Sequence, residues 1–285
     1  MLTIVLAAAG ALVYGAADFV GGVASKRVSA VRVATVSAGV GVVVFALLVL
    51  IWPQIWSVNA VLWGALSGVA GIAAVALLYA CLAIGPMAIL SPLTAVISGA
   101  FPVVWTLWNG EPLGTTTLVA IVIVLVGAAL IGFSPLAPRS RPRPLGLGLA
   151  VAAGVLFGTF YVILSNAPAD SGAVPLLANR IVSLILMLTV GVVITFTRRR
   201  RGAPTSTHSP YMALAVVTGI LDSSANALLL LALRSDELAT VSVITSLYPV
   251  GTIALAAILL KENIAPSQWA GIVIAMIGSV LISVK

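Results

Sequence analysis

Charge is scarce in this chain. Only 14 Lys and Arg and 7 Asp and Glu occur among 285 residues, or 7%, where a soluble domain carries about 25%. That shortage excludes an ordinary water-soluble fold. Cysteine and histidine occur once each. Cys81 has no partner for an internal disulfide, and one Cys with one His excludes the usual zinc clusters. His208 lies in a basic link with no acid near it in sequence. A Ser-His-Asp arrangement would have to draw it into the membrane. No Walker loop and no glycine-rich phosphate cradle occurs, so no ATP hydrolysis is expected. The expectation is a protein that is not an enzyme, with no cofactor and no metal.

Apolar runs fill the space that charge leaves. Hydrophobic residues make up 61% of the chain and the mean hydropathy is +1.24. A spanning helix needs about 20 mostly apolar residues. Ten stretches qualify, near 2–23, 31–51, 60–82, 86–108, 115–133, 145–165, 173–196, 210–233, 238–260 and 266–284. They do not alternate polar with apolar residues as barrel strands do. The expected fold is an all-α integral membrane protein. Span 1 begins MLTIVLAAAG and lacks the basic start of a signal peptide, so it reads as a retained helix.

The chain also repeats itself. Residues 74–82 (AVALLYACL) and 225–233 (ANALLLLAL) lie 151 positions apart. The same offset pairs Gly68 with Gly219, Ser91 with Ser242, Thr94 with Thr245, Glu111 with Glu262 and Gly127 with Gly278. Five spans per copy, an odd number, force the second copy to enter the membrane inverted. Two five-helix inverted-topology repeats are therefore expected, residues 1–133 and 145–285, joined by a basic, Pro-containing linker at 134–144. Inverted repeats are common in secondary transporters, which place a site where the repeats meet.

The net charge of +7 does not call for nucleic acid as a partner. Lys26, Arg27, Arg32, Arg139, Arg141, Arg143, Arg198 to Arg201 and Lys261 all flank the links that follow odd-numbered spans. The positive-inside rule puts links 1–2, 5–6, 7–8 and 9–10 in the cytoplasm, with both termini outside.

Three charges fall clearly inside spans: Asp18 in span 1, Arg180 in span 7 and Asp222 in span 8. A central charge costs about 2.5–3.5 kcal/mol on insertion scales, so it has a partner or a wet cavity. Asp222 and Asn226 lie one helical turn apart. Their repeat equivalents are Gly71 and Val75, so the duplicated fold alone does not require them. They read as a substrate or proton site with Ser223 beside them, or as half of a buried pair with Arg180. Asp18 reads equally as an interfacial residue near Lys26, and its counterpart is Tyr161. Ser242, Thr245, Ser246 and Tyr248 precede Pro249, while Ser91 and Thr94 accompany Pro92 and Pro102. Proline-broken spans often line transporter cavities. The cavity is therefore expected between spans 1, 4, 6, 7, 8 and 9.

The two acid-marked links, WNGEPLG and LLKENIAPSQWAGI, each lead into a Gly-containing span. With YGAADFVGGVASKR and GILDSSANALLLLALRSDELATVSVITSLYPV, they resemble the tandem EamA-type carriers of the drug/metabolite transporter superfamily. The resemblance covers essentially the whole chain. It implies ten helices, a central cavity and a bacterial inner or plasma membrane. It also implies movement of a small-molecule substrate, commonly outward. Separately, burial favours the protonated form of a carboxyl and a nearby Arg the charged form, which makes Asp222 a candidate to exchange a proton for substrate by alternating access. Members often have cytoplasmic termini, opposite to the orientation the basic links give. Two other readings stay open: a translocator of an amphipathic lipid or lipid-linked sugar, and a non-transporting scaffold or sensor.

Overall fold

The computed structural model describes residues 2–25, 28–84, 87–132, 143–200, 211–235, 238–259, 261 and 264–283. All regular structure among these residues is helical. It comprises α1 (Leu2–Ser25), α2 (Ala30–Ile51), α3 (Val58–Ile84), α4 (Met87–Trp108), α5 (Thr115–Gly132) and α6 (Pro144–Ser165). A 3-10 turn at Ala169–Ser171 leads to α7 (Val174–Arg200), α8 (Met212–Leu233), α9 (Leu238–Thr245), α10 (Tyr248–Leu259) and α11 (Pro266–Ser283). Helix is the form in which an apolar segment satisfies its own backbone away from water.

Seven apolar helical stretches are long enough to cross a membrane, with Leu238–Leu259 counted as one across its break. Pro92–Trp108, Thr115–Ile131 and Pro266–Ile282 are shorter apolar helices. The expected ninth span is split in two. Pro249 has no backbone N–H, and its ring would press on the carbonyl four residues back, that of Thr245. Helix α9 accordingly ends at Thr245 and α10 begins at Tyr248. Pro92 and Pro102 do not have this effect, and α4 runs continuously through both.

Burial is reversed from that of a soluble protein. Large apolar side chains such as Leu50, Val192, Trp269 and Met276 are exposed on the outside. The interior of the bundle is rich in small residues, among them Ala7, Ala11, Ala74, Ala128, Ala153 and Ala225. Lipid gives no hydrophobic drive for one helix to join another, so helices associate through close packing of small residues.

Helix α1 packs on α8 and α10, and α3 packs on α6 and α7. Helix α2 lies against α7 and α8, α4 against α6 and α9, and α5 against α11. Glycine makes the closest of these contacts. A Cβ on Gly68 would stand 2.6 Å from the Asn179 carbonyl oxygen of α7, and one on Gly219 would stand 2.8 Å from Val40 Cβ of α2. A Cβ on Gly127 would come within 2.7 Å of the Ala275 nitrogen, and one on Gly278 within 2.7 Å of a Val124 methyl. Polar bonds reinforce the α3–α7 seam. Asn179 Nδ2 donates to Ser67 Oγ at 2.9 Å, and Ser183 Oγ to the Gly68 carbonyl at 3.5 Å.

Overpacking such a seam costs about 1–3 kcal/mol. Gly68→Val should therefore lower the melting temperature of the detergent-solubilised protein. Gly148→Val should leave it unchanged, because no described atom beyond its own stretch of helix lies within 4 Å of a Cβ built there. Thermal unfolding of the two variants side by side checks the seam, and equal midpoints would contradict it.

Candidate functional site

The helix contacts leave an open cavity of about 1190 Å³ inside the bundle, including its mouth. Its described lining comes from α1, α2, α3, α6, α7 and α8, with Tyr248 at the start of α10. This corrects the expected set of spans. Helices α2 and α3 form walls, and no described residue of α4 does.

Gly71 and Val75 of α3 line the cavity, as do Asp222 and Asn226 of α8, which stand 151 positions further on in the sequence. Tyr14, Ala17 and Asp18 of α1 and Phe157, Phe160 and Tyr161 of α6 also line it and share one constant sequence spacing. Val33, Ala34 and Ser37 of α2 and Asn179, Arg180 and Ser183 of α7 line it as well. The chemistry of the walls is unequal. Helices α1, α7 and α8 supply the charges, and α3 and α6 supply apolar and aromatic surface.

Arg180 Nη2 and Asp222 Oδ2 form an ion pair at 2.6 Å. Asn226, one turn beyond Asp222, supports it from below. Its Nδ2 donates to the Asp222 carbonyl at 2.7 Å and to Oδ1 at 3.3 Å. Both carboxylate oxygens of Asp222 thus have partners. Arg180 reaches its place over Gly41 of α2, where a Cβ would stand 2.7 Å from Arg180 Cδ. Arg180 Nε is buried without a hydrogen-bond partner among the described residues. The arginine side chain is 12% exposed and the aspartate 25%, so the pair is neither dry nor fully solvated.

Asp18 differs from Asp222. It is exposed in the cavity wall, and no described cation lies within ion-pair distance of it. Tyr14 lies one turn before it on the same helix and lines the same space. Tyr161 and Tyr248 also face the cavity. The Phe160 and Tyr161 rings are 5.4 Å apart and tilted by 57°. The Tyr248 hydroxyl is buried with no described hydrogen-bond partner.

The cavity thus brings together six of the residues singled out from sequence: Asp18, Tyr161, Arg180, Asp222, Asn226 and Tyr248. The other hydroxyls lie elsewhere. Thr94 Oγ1 is buried between α4 and α6 and donates to the Leu90 and Ala150 carbonyls. Ser242 and Ser246 donate to their own helix at Leu238 and Val243. Ser223 and Thr245 are buried outside the cavity lining. The Ser91 side chain lies outside the described residues. Sequence reasoning missed Tyr14, Ser37, Asn179, Ser183 and Thr218 as lining residues. Helical spacing offered a signal for two of them. Tyr14 lies four residues before Asp18, and Thr218 four before Asp222.

One end of the bundle is tied by polar bonds. Arg234, which caps α8, donates from Nη2 to the Gly172 carbonyl at 2.8 Å, Ser171 Oγ at 3.1 Å and the Pro168 carbonyl at 3.4 Å. Half-burial holds its pKa below the ordinary guanidinium value, and nearby Asp170 opposes that shift. The Ile55 amide donates to the Asp170 carbonyl at 2.9 Å. The link after α2, the link before α7 and the end of α8 meet at this end.

Removing one partner of a buried ion pair costs roughly 3–5 kcal/mol in a dry interior, because a charge is left uncompensated. The loss is smaller here because Asp222 is a quarter exposed. Asp222→Asn and Arg180→Gln should each lower the melting temperature. The double variant should lose less than the sum of the two, and a double-mutant cycle of unfolding midpoints measures the coupling. Strict additivity would show that the two charges do not stabilise each other.

Comparison with known proteins now adds to this geometry. No curated protein matches the chain. A solved crystal structure superposes with a TM-score of 0.74, covering 98% of this chain and 95% of the other at 13% identity. That likeness shows the fold alone. Residues 144–284, from the start of α6 through α11, match the EamA-like transporter family. With its apolar helices, the chain is a multi-pass membrane protein that carries an EamA-like transporter family domain over residues 144–284.

Proposed function

We propose that the chain is a secondary carrier of a small organic solute, exporting it by alternating access through the α1–α3/α6–α8 cavity. One observation carries this reading. The cavity is walled by residues of both halves at repeated sequence spacings, and its described charges, Asp18, Arg180 and Asp222, come from α1, α7 and α8, while α3 brings none. A scaffold has no use for a carboxylate that faces an open space among apolar helices with no described cation beside it, since such a charge is costly there.

The same spacings support two inverted five-helix repeats, residues 1–133 and 145–285. Contacts α1–α8 and α3–α6 exchange under that relation, as do α2–α8 and α3–α7. The α2–α7 and α5–α11 contacts map onto themselves. In this reading α9 and α10 together are the ninth span and α11 the tenth. Motion of one half against the other would open the end tied by Arg234 and close the opposite end.

Proton coupling through Asp222 requires its pair with Arg180 to open, since both carboxylate oxygens are engaged. Coupling at this residue therefore depends on a solute that displaces Arg180.

Gly71 offers a clean obstruction. Only the Phe160 ring lies within 4 Å of a Cβ built there. Gly71→Trp should fill the cavity and abolish solute counterflow into proteoliposomes, read by mass spectrometry of an offered metabolite extract. The unfolding midpoint should remain near that of the wild type. Undiminished counterflow in that variant would exclude this cavity as the route.

The orientation proposed is the one the basic links give, with links 1–2, 5–6, 7–8 and 9–10 in the cytoplasm. Cysteines placed at Arg141 and Arg200, outside the described side chains, should resist an impermeant thiol reagent added to intact cells. Labelling of both from outside would reverse the orientation.

A further inference from the structure

The geometry points to an organic cation with an apolar body as the solute, its positive group held by Asp18. This inference rests on the reading of the cavity as the solute site, and it names the substrate class. Charge arithmetic in the cavity comes first. Among the described lining residues are two carboxylates, Asp18 and Asp222, and one guanidinium, Arg180. Arg180 and Asp222 satisfy each other at 2.6 Å. Asp18 is left with no described cation in ion-pair reach.

A solute that fills this space displaces water from Asp18. A neutral solute would strand the carboxylate, and an anion would be repelled by it. A solute carboxylate would also have to compete with Asp222 for Arg180, whose Nη2 is already engaged. A solute ammonium compensates Asp18 without disturbing that pair.

The surroundings of Asp18 fit the same class. Aromatic rings of Tyr14, Tyr161 and Tyr248 share the cavity with it, and their faces attract cations when desolvated. The opposite wall carries Gly71, Ile72, Val75 and Leu78. That wall offers hydrocarbon to the rest of the solute and no hydrogen-bonding side chain. The cavity is polar and anionic on one side and apolar on the other, which is the complement of an amphipathic cation.

Three probes with one body and different heads test this on the purified full chain in detergent: 4-phenylbutylammonium, 4-phenylbutanol and 4-phenylbutyrate. Titration calorimetry should show the ammonium binding at least tenfold more tightly than the alcohol, with the carboxylate weakest. Asp18→Asn should weaken ammonium binding at least tenfold, and Asp18→Glu should retain most of it. Equal binding of all three heads, preference for the carboxylate, no binding of any probe, or an Asp18→Asn variant that binds the ammonium as wild type would each overturn the proposal. Should Asp18→Asn fail to fold, the head-group order on the wild-type chain decides alone. Counterflow that Gly71→Trp blocks but that carries only neutral or anionic solutes would overturn the cation class and leave the carrier reading standing.

Discussion

The ion pair between Arg180 and Asp222 exists because the neighbouring helices give it room, partners and partial access to water. Gly41 leaves space for the guanidinium stem. Asn226 occupies the second carboxylate oxygen. The cavity relieves part of the desolvation that two charges would otherwise suffer in an apolar bundle. A side chain in place of that glycine would force the arginine stem to shift. Remove the cavity and the pair becomes a dry salt bridge, whose attraction often fails to offset its desolvation. Placement of the pair therefore requires that α2, α7 and α8 meet without filling the space between them.

That requirement is met by dividing labour along each helix. On α3, Gly68 presses against α7 while Gly71 and Val75, a turn further on, face the cavity. On α8, Gly219 presses against α2 while Asp222 and Asn226 face the cavity. Gly68 and Gly219 stand 151 positions apart in the sequence, as do Gly71 and Asp222, so one spacing joins two alike packing residues and two unlike cavity residues. Small residues bring backbones together at the seams, and side-chain chemistry differs where it faces the cavity.

Much of this was legible in the sequence because helix in lipid leaves a strong signal. The apolar runs fixed the helices within a few residues, and the duplicated glycines marked the tight contacts. Asp222 and Arg180 stood out because charge inside an apolar run is conspicuous, and Asn226 because it lies one turn from Asp222. The cavity walls were harder to read. Serine and threonine in α4, α9 and α10 suggested a polar lining, but Thr94, Ser242 and Ser246 return their hydroxyls to nearby carbonyls. A hydroxyl bonded to its own helix looks the same in sequence as one that faces a solute. Proline was equally ambiguous. Pro249 interrupts its span, while Pro92 and Pro102 remain within α4. Lining by α2 and α3 was hidden because Ala34, Ala38, Gly71 and Val75 carry no polar mark.

The two kinds of contact in the bundle also differ in how readily they part. Glycine-mediated seams bring backbone against backbone, and nothing replaces those close contacts if the helices separate in lipid. The end tied by Arg234 is held by individual hydrogen bonds to Gly172, Ser171 and Pro168 and by the Ile55–Asp170 amide bond. The amide bond is worth only about 0.5–1.5 kcal/mol net and a bond from the charged guanidinium about 1.5–3 kcal/mol, because water can take the place of either partner. An arginine at the end of a span is within reach of that water, whereas Asn179 and Ser67 in the α3–α7 seam are buried. The carrier proposed above would therefore part most readily at that polar end and keep its close glycine seams.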